Sequence, residues 1–321
     1  MEMRYDEFDL NVIQNSGHFR KDDDMSVFFA RELESVKKKT YDQKLANLNA
    51  AMLFPVSADA DPGAATITYQ SYGMVGVAKI IANYADDLPR VDVQGEEHTV
   101  KVFSIGESYG YSVQDVRAAR MAGKPLNQRK ATAARRANDA KVNSIAFKGD
   151  AEYGIVGILD NPNISTYAVP ADGTSSATEF EKKTPVQILR DLNKAVSSIV
   201  ELTNGVEIPD TIVLPIAQYN YLANTAYSDA VSDSILTVFK KNNPYIKEVF
   251  QANELKGAGA SGKDIALIYV RDIDHVSLEI PLPFTQYTVQ QDNLEFTVPC
   301  ESRTAGVIPY YPLSMCKMEG I

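Results

Sequence analysis

Only two cysteines, Cys300 and Cys316, occur in 321 residues, too few to staple a chain of this length, so neither a disulfide scaffold nor an oxidising compartment is indicated. They stand sixteen apart without a second pair, which is not a zinc-site spacing; buried thiols are expected. Histidine is scarce too. His18, His98 and His275 lie at no metal-ligand spacing from one another, and solvated or capping roles are expected for them. No run of about 18 apolar residues is present to span a bilayer. The first nine residues carry Glu2, Asp6, Glu7 and Asp9 where a secretory signal would be basic and then apolar, so no signal-led export is expected, and the default compartment is cytosolic.

Catalytic signatures are also missing. There is no Gly-x-Ser-x-Gly elbow, no phosphate-binding Walker loop and no Gly-x-Gly-x-x-Gly after a strand. The glycine-rich run 257–262 lacks the Lys-Ser/Thr ending and a following helix, and reads as a flexible loop. Asp86 and Asp87 are a formal carboxylate pair, but they sit on a glycine-broken stretch with no preorganised pocket. No catalytic residue, metal or cofactor is therefore expected.

What the chain does have is length and apolar content: 45% hydrophobic residues suffice for a core or two, and about 150 residues per domain gives a prior of two domains. The net charge of −10 confines any nucleic-acid role to a local patch. The first 24 residues, ending in Asp22-Asp23-Asp24, show little periodicity and read as an extended arm that orders against a partner. From Met25, apolar residues at helical spacing predict a helix. Alternation then predicts strands over 66–70 and 99–105, the two arms of a long hairpin. The intervening stretch holds Gly73, Gly76, Pro89 and Gly95 with Asp86, Asp87, Asp92, Glu96 and Glu97, and cannot build a core of its own. A two-stranded excursion of this kind needs another surface to lie on.

Residues 113–148 are basic: nine Arg and Lys stand against Asp115 and Asp139, a net of +7 that leaves −17 for the rest of the chain. Pro125 suits a first helical turn, Gly149 a C-cap, and the alanines between them a helix of about 35 Å with a small-residue packing face. Its cations Arg129, Lys130, Arg135, Arg136 and Lys141 admit three readings: a solvated face, a genome-facing stripe, or a seat for an acidic segment of a neighbouring copy. Further on, 153–163 is an apolar turn region and 172–176 a polar loop, with a boundary near 171–184. Thr184-Pro185 opens a helix that Asn204-Gly205 ends. Short buried strands follow at 211–214 and 265–270, with short helices at 218–223 and 233–241. Strand patterns at 285–290, 294–298 and 307–313 close the chain, and there is no internal repeat.

The stretches 78–92 (AKIIANYADDLPRVD), 104–112 (SIGESYGYS), 131–149 and 154–163 (GIVGILDNPN) resemble a family of tailed-phage and prophage major capsid proteins. The resemblance implies an α+β Hong Kong 97-type capsid fold: an N-terminal arm, an extended hairpin loop, a peripheral domain with a long spine helix, and an axial domain with a central sheet. It assigns 1–50 to the arm and short helix, and 51–183 with 271–321 to the peripheral domain. Within the latter it places the extended loop at 66–105 and the spine helix at 125–148. It assigns 184–270 to the axial domain and implies that the terminal strands return to the peripheral sheet.

By that resemblance the chain is a structural protein, not an enzyme. Its copies form hexamers and pentamers that close an icosahedral head around double-stranded DNA, bound without sequence specificity, in a virion capsid assembled in the host bacterial cytoplasm. Further partners implied are a portal and scaffold or decoration proteins; a membrane is not among them. Candidate inter-subunit contacts are Lys79, Asp86, Asp87, Arg90, Asp92, Glu96 and Glu97, with the basic helix of an adjacent copy the first candidate for meeting the acids. Some members of the wider fold cross-link a loop lysine to a neighbour's asparagine. Lys79 lies in the loop, but no asparagine or assisting glutamate matches a motif, so no cross-link is expected. Two other functions compete: an encapsulin-type shell around an enzyme, which would be expected to begin with a cargo-holding helix where this chain is polar and extended, and a soluble enzyme with a novel site.

Overall fold

The computed structural model describes residues 46–75, 92–123, 126–228 and 231–321, of which Asn47–Ile321 form one unit. The expected arm, the helix from Met25 and the loop tip (76–91) lie outside the described residues.

A single helical turn, α1 (Ala50–Leu53), precedes β1 (Val56–Ser57). Asn143 Oδ1 accepts the backbone N–H groups of Asn49 and Ala50 at 3.0 and 2.8 Å, satisfying donors that a helix start leaves open. At the other end Arg271 donates to the carbonyls of Met52 (2.6 Å) and Leu53 (3.1 Å), where the helix dipole favours a cation. The hairpin expected from alternation follows as β2 (Thr66–Val75) and β3 (Asp92–Lys101), paired antiparallel from Thr66 opposite Lys101 to Val75 opposite Asp92. The strand expected across 99–105 is broken at Val102, whose N–H bonds Ala65 O and whose side chain enters a small cluster with Ala305 and Ile308. Beyond it β4 (Phe103–Ser112) leaves the hairpin for another sheet.

Helix α2 (Val113–Ala122) is bounded locally: Ser112 and Asp115 form a reciprocal capping box, and Gly123 at φ 64° closes the C-terminus. The long helix α3 (Leu126–Lys148) occupies the span expected for it and ends at Gly149, φ 71°. A tight hairpin of β5 (Gly149–Asp150) and β6 (Ile155–Val156) folds back on its end. There a Cβ on Gly157 would lie 2.3 Å from Phe147 O, so the approach requires glycine. After β7 (Ser165–Ala168), α4 (Pro185–Leu202) starts at the Thr184–Gln187 capping box, and the turn after it places Asn204 and Gly205 at positive φ.

The remaining elements are β8 (Thr211–Leu214), α5 (Ile216–Asn224), β9 (Ala226–Ser228), β10 (Val231–Ser234), α6 (Ile235–Asn242), β11 (Glu248–Gln251), β12 (Ile265–Tyr269), β13 (Val276–Glu279), β14 (Leu282–Gln286), β15 (Gln290–Asp292), β16 (Glu295–Thr304), β17 (Gly306–Pro309) and β18 (Met315–Glu319). The main sheet runs β11-β8-β12-β18-β7, parallel at both edges and antiparallel in the middle. Its inner strands β8 and β12 are buried along their whole length and almost entirely apolar because both faces are covered there. Ile212, Leu214, Ala266, Ile268, Cys316 and Met318 face the cluster around α4, while Val213, Leu267, Tyr269 and Met315 face the one containing Phe147 of α3. Each of the Val, Leu, Ile and Met side chains among them, fully buried, contributes about 1.5–3 kcal/mol. β16 pairs with β4 over ten residues on one side and with β14 and β15 on the other.

The last strand corrects an expectation. β18 does not return to the sheet of β16 but pairs between β12 and β7, since Met315 on one face and Cys316 and Met318 on the other complete both cores. Lys317, also buried, donates to the carbonyls of Leu159 (2.9 Å) and Asn161 (3.2 Å). A second buried cation fastens the polar loop before α4. Lys183 Nζ, with no solvent exposure, lies 2.5 Å from Asp191 Oδ2 and 3.0 Å from Asp172 Oδ1, and Arg190 donates to both aspartates at 2.6 Å. Lys183 foremost, then Arg190, holds the Asp172 carboxyl below its ordinary range.

Candidate assembly surfaces

Among the described residues, the β2–β3 hairpin is anchored at its base. Ile67, Tyr69 and Val100 pack with Val102, Ala305, Ile308 and Tyr310. Tyr69 stacks on His98 at 5.0 Å and meets Tyr310 edge-on at 4.9 Å. Tyr310 donates to Glu279 Oε1 at 3.0 Å, and burial first of all pushes its hydroxyl up to about 12. Glu279, buried with no ion-pair partner among the described residues, also accepts from Ser57 Oγ (3.0 Å) and Ser277 Oγ (2.6 Å), so three hydroxyls satisfy its carboxylate. A cleft of about 670 Å³ beside this base is lined by Ser57, Asp59, Ser277, Tyr310 and Tyr311 among others, mainly hydroxyls and carboxylates.

Beyond the Tyr69–His98 rung, no described hairpin side chain is buried. Tyr72 is 64% exposed and Val93 54%. Of the expected contact residues, Lys79, Asp86, Asp87 and Arg90 lie outside the described residues. Asp92 ends β3 opposite Val75, and Glu96 and Glu97 are exposed on the ladder. Glu97 accepts from Gln70 Nε2 at 2.8 Å, and Glu96 lies 4.0 Å from His98.

The basic helix α3 is less open than its composition implies. Lys130 donates to Gly110 O at 2.5 Å, anchoring α3 to β4. Lys141 bonds Asp150 at 2.7 Å, and this contact first of all holds the Asp150 carboxyl below its ordinary range. Arg135 lies 3.9 Å from Asp139 one turn on, and Arg129 and Arg136 have partners as well. Asn138 and Asn143 are buried on the same helix. The helix therefore serves largely as a spine against which β4, β17 and α1 are fixed.

Helix α2 is the feature that periodicity missed. It buries no residue: Val113, Val116 and Ala119 are half-buried towards the body, while Arg117, Arg120 and Met121, the last 90% exposed, form an open outer face. His275 pairs with Glu207 at 3.0 Å, and Cys300 and Cys316 are buried free thiols, the burial raising both. His18 lies outside the described residues. Among the described residues no three His, Cys, Asp or Glu gather to hold a metal, and no helix is long and apolar enough to cross a membrane.

No curated protein sequence matches the chain. Solved structures do. The capsid of the Myoviridae phage XM1 superposes with a TM-score of 0.79 at 16% identity, covering 93% of this chain and all of that one. Structures from the Microbacterium phage Oxtober96 (TM-score 0.62, 11% identity, 90% and 97% covered) and the Mycobacterium phage Ogopogo (0.60, 11%, 91% and 99%) share the fold. The architecture is thus the α+β Hong Kong 97-type capsid fold. The model of the family described as "Major capsid protein" matches residues 76–321, from the hairpin tip to the last residue. An extended hairpin, a long spine helix and a central sheet are the parts of that fold, and with the family matched over most of its length the chain belongs to the major capsid proteins.

Proposed function

We propose that copies of this chain associate into hexamers and pentamers that close an icosahedral phage head around double-stranded DNA. The carrying observation is the hairpin: ten paired rungs of which the outer part, among the described residues, buries no side chain. A two-stranded ribbon is marginal in water, and a surface supplied by a second copy removes that deficit and ties subunit stability to assembly. Shell closure is then many weak contacts multiplied by symmetry. The hairpin acids, Glu96 and Glu97 together with Asp86, Asp87 and Asp92, lie against cations of the adjacent copy. Exposed pairs contribute only about 0–1 kcal/mol each, so they set register more than affinity.

In this reading, 51–183 with 271–321 forms the peripheral domain and 184–270 the axial domain, except that β7 and β18 complete the axial sheet. DNA is held through its phosphates without sequence readout, and a portal with scaffold or decoration proteins completes a head assembled in the bacterial cytoplasm. The test is expression followed by size-exclusion chromatography and electron microscopy. Closed megadalton particles are expected, containing DNA when formed during infection. A small soluble oligomer under all conditions sinks the proposal, and particles holding a co-purifying enzyme instead of nucleic acid turn it to an encapsulin-type shell.

A further inference from the structure

We propose that α2 is the seat for a neighbouring copy's hairpin, with Met121 against Tyr72 and Val93 and with Arg117 and Arg120 facing Glu97. The inference rests on the assembly reading above and names the surfaces that meet.

Three observations carry it. First, α2 is fully specified yet uncovered. Its capping box and glycine C-cap make a ten-residue helix by local chemistry, but no side chain of it is buried. An isolated helix of this length is marginal in water, so cover is owed from elsewhere. Second, its outer face is cationic beside one exposed apolar side chain. Arg117 and Arg120 have no ion-pair partner among the described residues, in contrast to Arg129, Lys130, Arg135, Arg136 and Lys141 of α3, which have partners. Met121 follows Arg120 directly and lies one turn on from Arg117, its flexible thioether almost wholly in solvent.

Third, the hairpin carries the complement in one row. Alternation puts Thr68, Gln70 and Tyr72 on one face with Thr99, Glu97, Gly95 and Val93. The Tyr72 ring lies over Gly95, where a Cβ would come within 3.1 Å of it. Its hydroxyl donates to Gln70 Oε1 at 2.7 Å, and Gln70 in turn donates to Glu97. That chain of bonds fixes an exposed aromatic ring and an aimed carboxylate before any partner arrives, which lowers the ordering cost of docking. Aromatic side chains and arginines are the groups that dominate interface energies. A second copy fits as occupant because the family self-associates and because the charges are complementary across one sequence.

The test uses full-length protein. Arg117→Glu with Arg120→Glu is expected to cut the yield of particles roughly tenfold or more, the small loss per contact being repeated around each capsomer. Adding Glu97→Arg is expected to restore it. Independently, Met121→Cys with Val93→Cys, oxidised in particles and run on non-reducing denaturing gels, should give a ladder of linked subunits that neither single variant gives. Circular dichroism checks that each variant folds. If wild-type protein builds no particles, the assembly reading itself fails. If wild-type particles form and the double charge reversal assembles at the normal yield, or Glu97→Arg restores nothing, or the paired cysteines leave only monomer, then α2 is not the seat.

Discussion

Replacing Lys183 by methionine probes the buried ion cluster that ties the loop at Asp172 to α4. Lys183 and Asp191 both have fully buried side chains, with Nζ 2.5 Å from Oδ2 and a second carboxylate, Asp172, at 3.0 Å. At an effective permittivity of about 20, the Coulomb terms are roughly 7 and 6 kcal/mol, while withdrawal from water costs several kcal/mol per ion, so the intact cluster gives little net stability. Removing only the cation is different. Asp191 stays buried with Arg190 as its remaining cation, and the expected loss is about 3–5 kcal/mol. Lys183→Met with Asp191→Leu removes both charges and is expected to recover most of it, within about 1–2 kcal/mol of wild type. Urea unfolding of disassembled protein measures this, followed by far-UV circular dichroism because the chain has no tryptophan. A Lys183→Met protein within 1 kcal/mol of wild type, or a double variant as unstable as the single, would refute the reasoning.

The same cluster predicts a pH dependence. Asp172 has its folded pKa depressed by Lys183 and Arg190, so its contribution is present above the unfolded carboxyl value of about 3.9 and is lost as pH falls through the lower folded value. Unfolding midpoints of wild type and Asp172→Asn should therefore begin to approach each other below about pH 4 and meet only below the depressed folded value. Gly157→Ala places a methyl 2.3 Å from Phe147 O and 2.4 Å from Gly149 N, so it should leave insoluble protein or lower the thermal midpoint markedly, whereas Gly154→Ala, with nothing nearby but φ 69°, should cost only about 1 kcal/mol. Phe147→Ala, in the core between α3 and the main sheet, should cost about 3–5 kcal/mol in the same urea experiment.

Local chemistry wrote much of this fold legibly. Thr184-Pro185 and Asn204-Gly205 bound α4 because caps and turns are made by residues a few positions apart. The apolar runs 211–214 and 265–269 read as buried strands because both faces of their sheet are covered. The hairpin and the long basic helix were equally plain, and the resemblance at 78–163 led from those elements to the family.

Other features could not be read in this way. Alternation is the same on both sides of Val102, so nothing in period two announces that the strand changes partners there; a contact with Ala305 and Ile308, two hundred residues on, decides it. The sheet β18 would join depended on which core lacked Met315 and Met318. The cap on α1 comes from Asn143 and Arg271, each far along the chain. The basic helix was legible as a charge, but not as a charge already partnered, and α2 could not be seen as uncovered until everything around it was in place. Spacing and composition thus determined most of the elements and, where local caps are written in the chain, their ends. Only the tertiary structure decided which cations and apolar side chains remain for another copy, because exposure is what is left after all other contacts have formed.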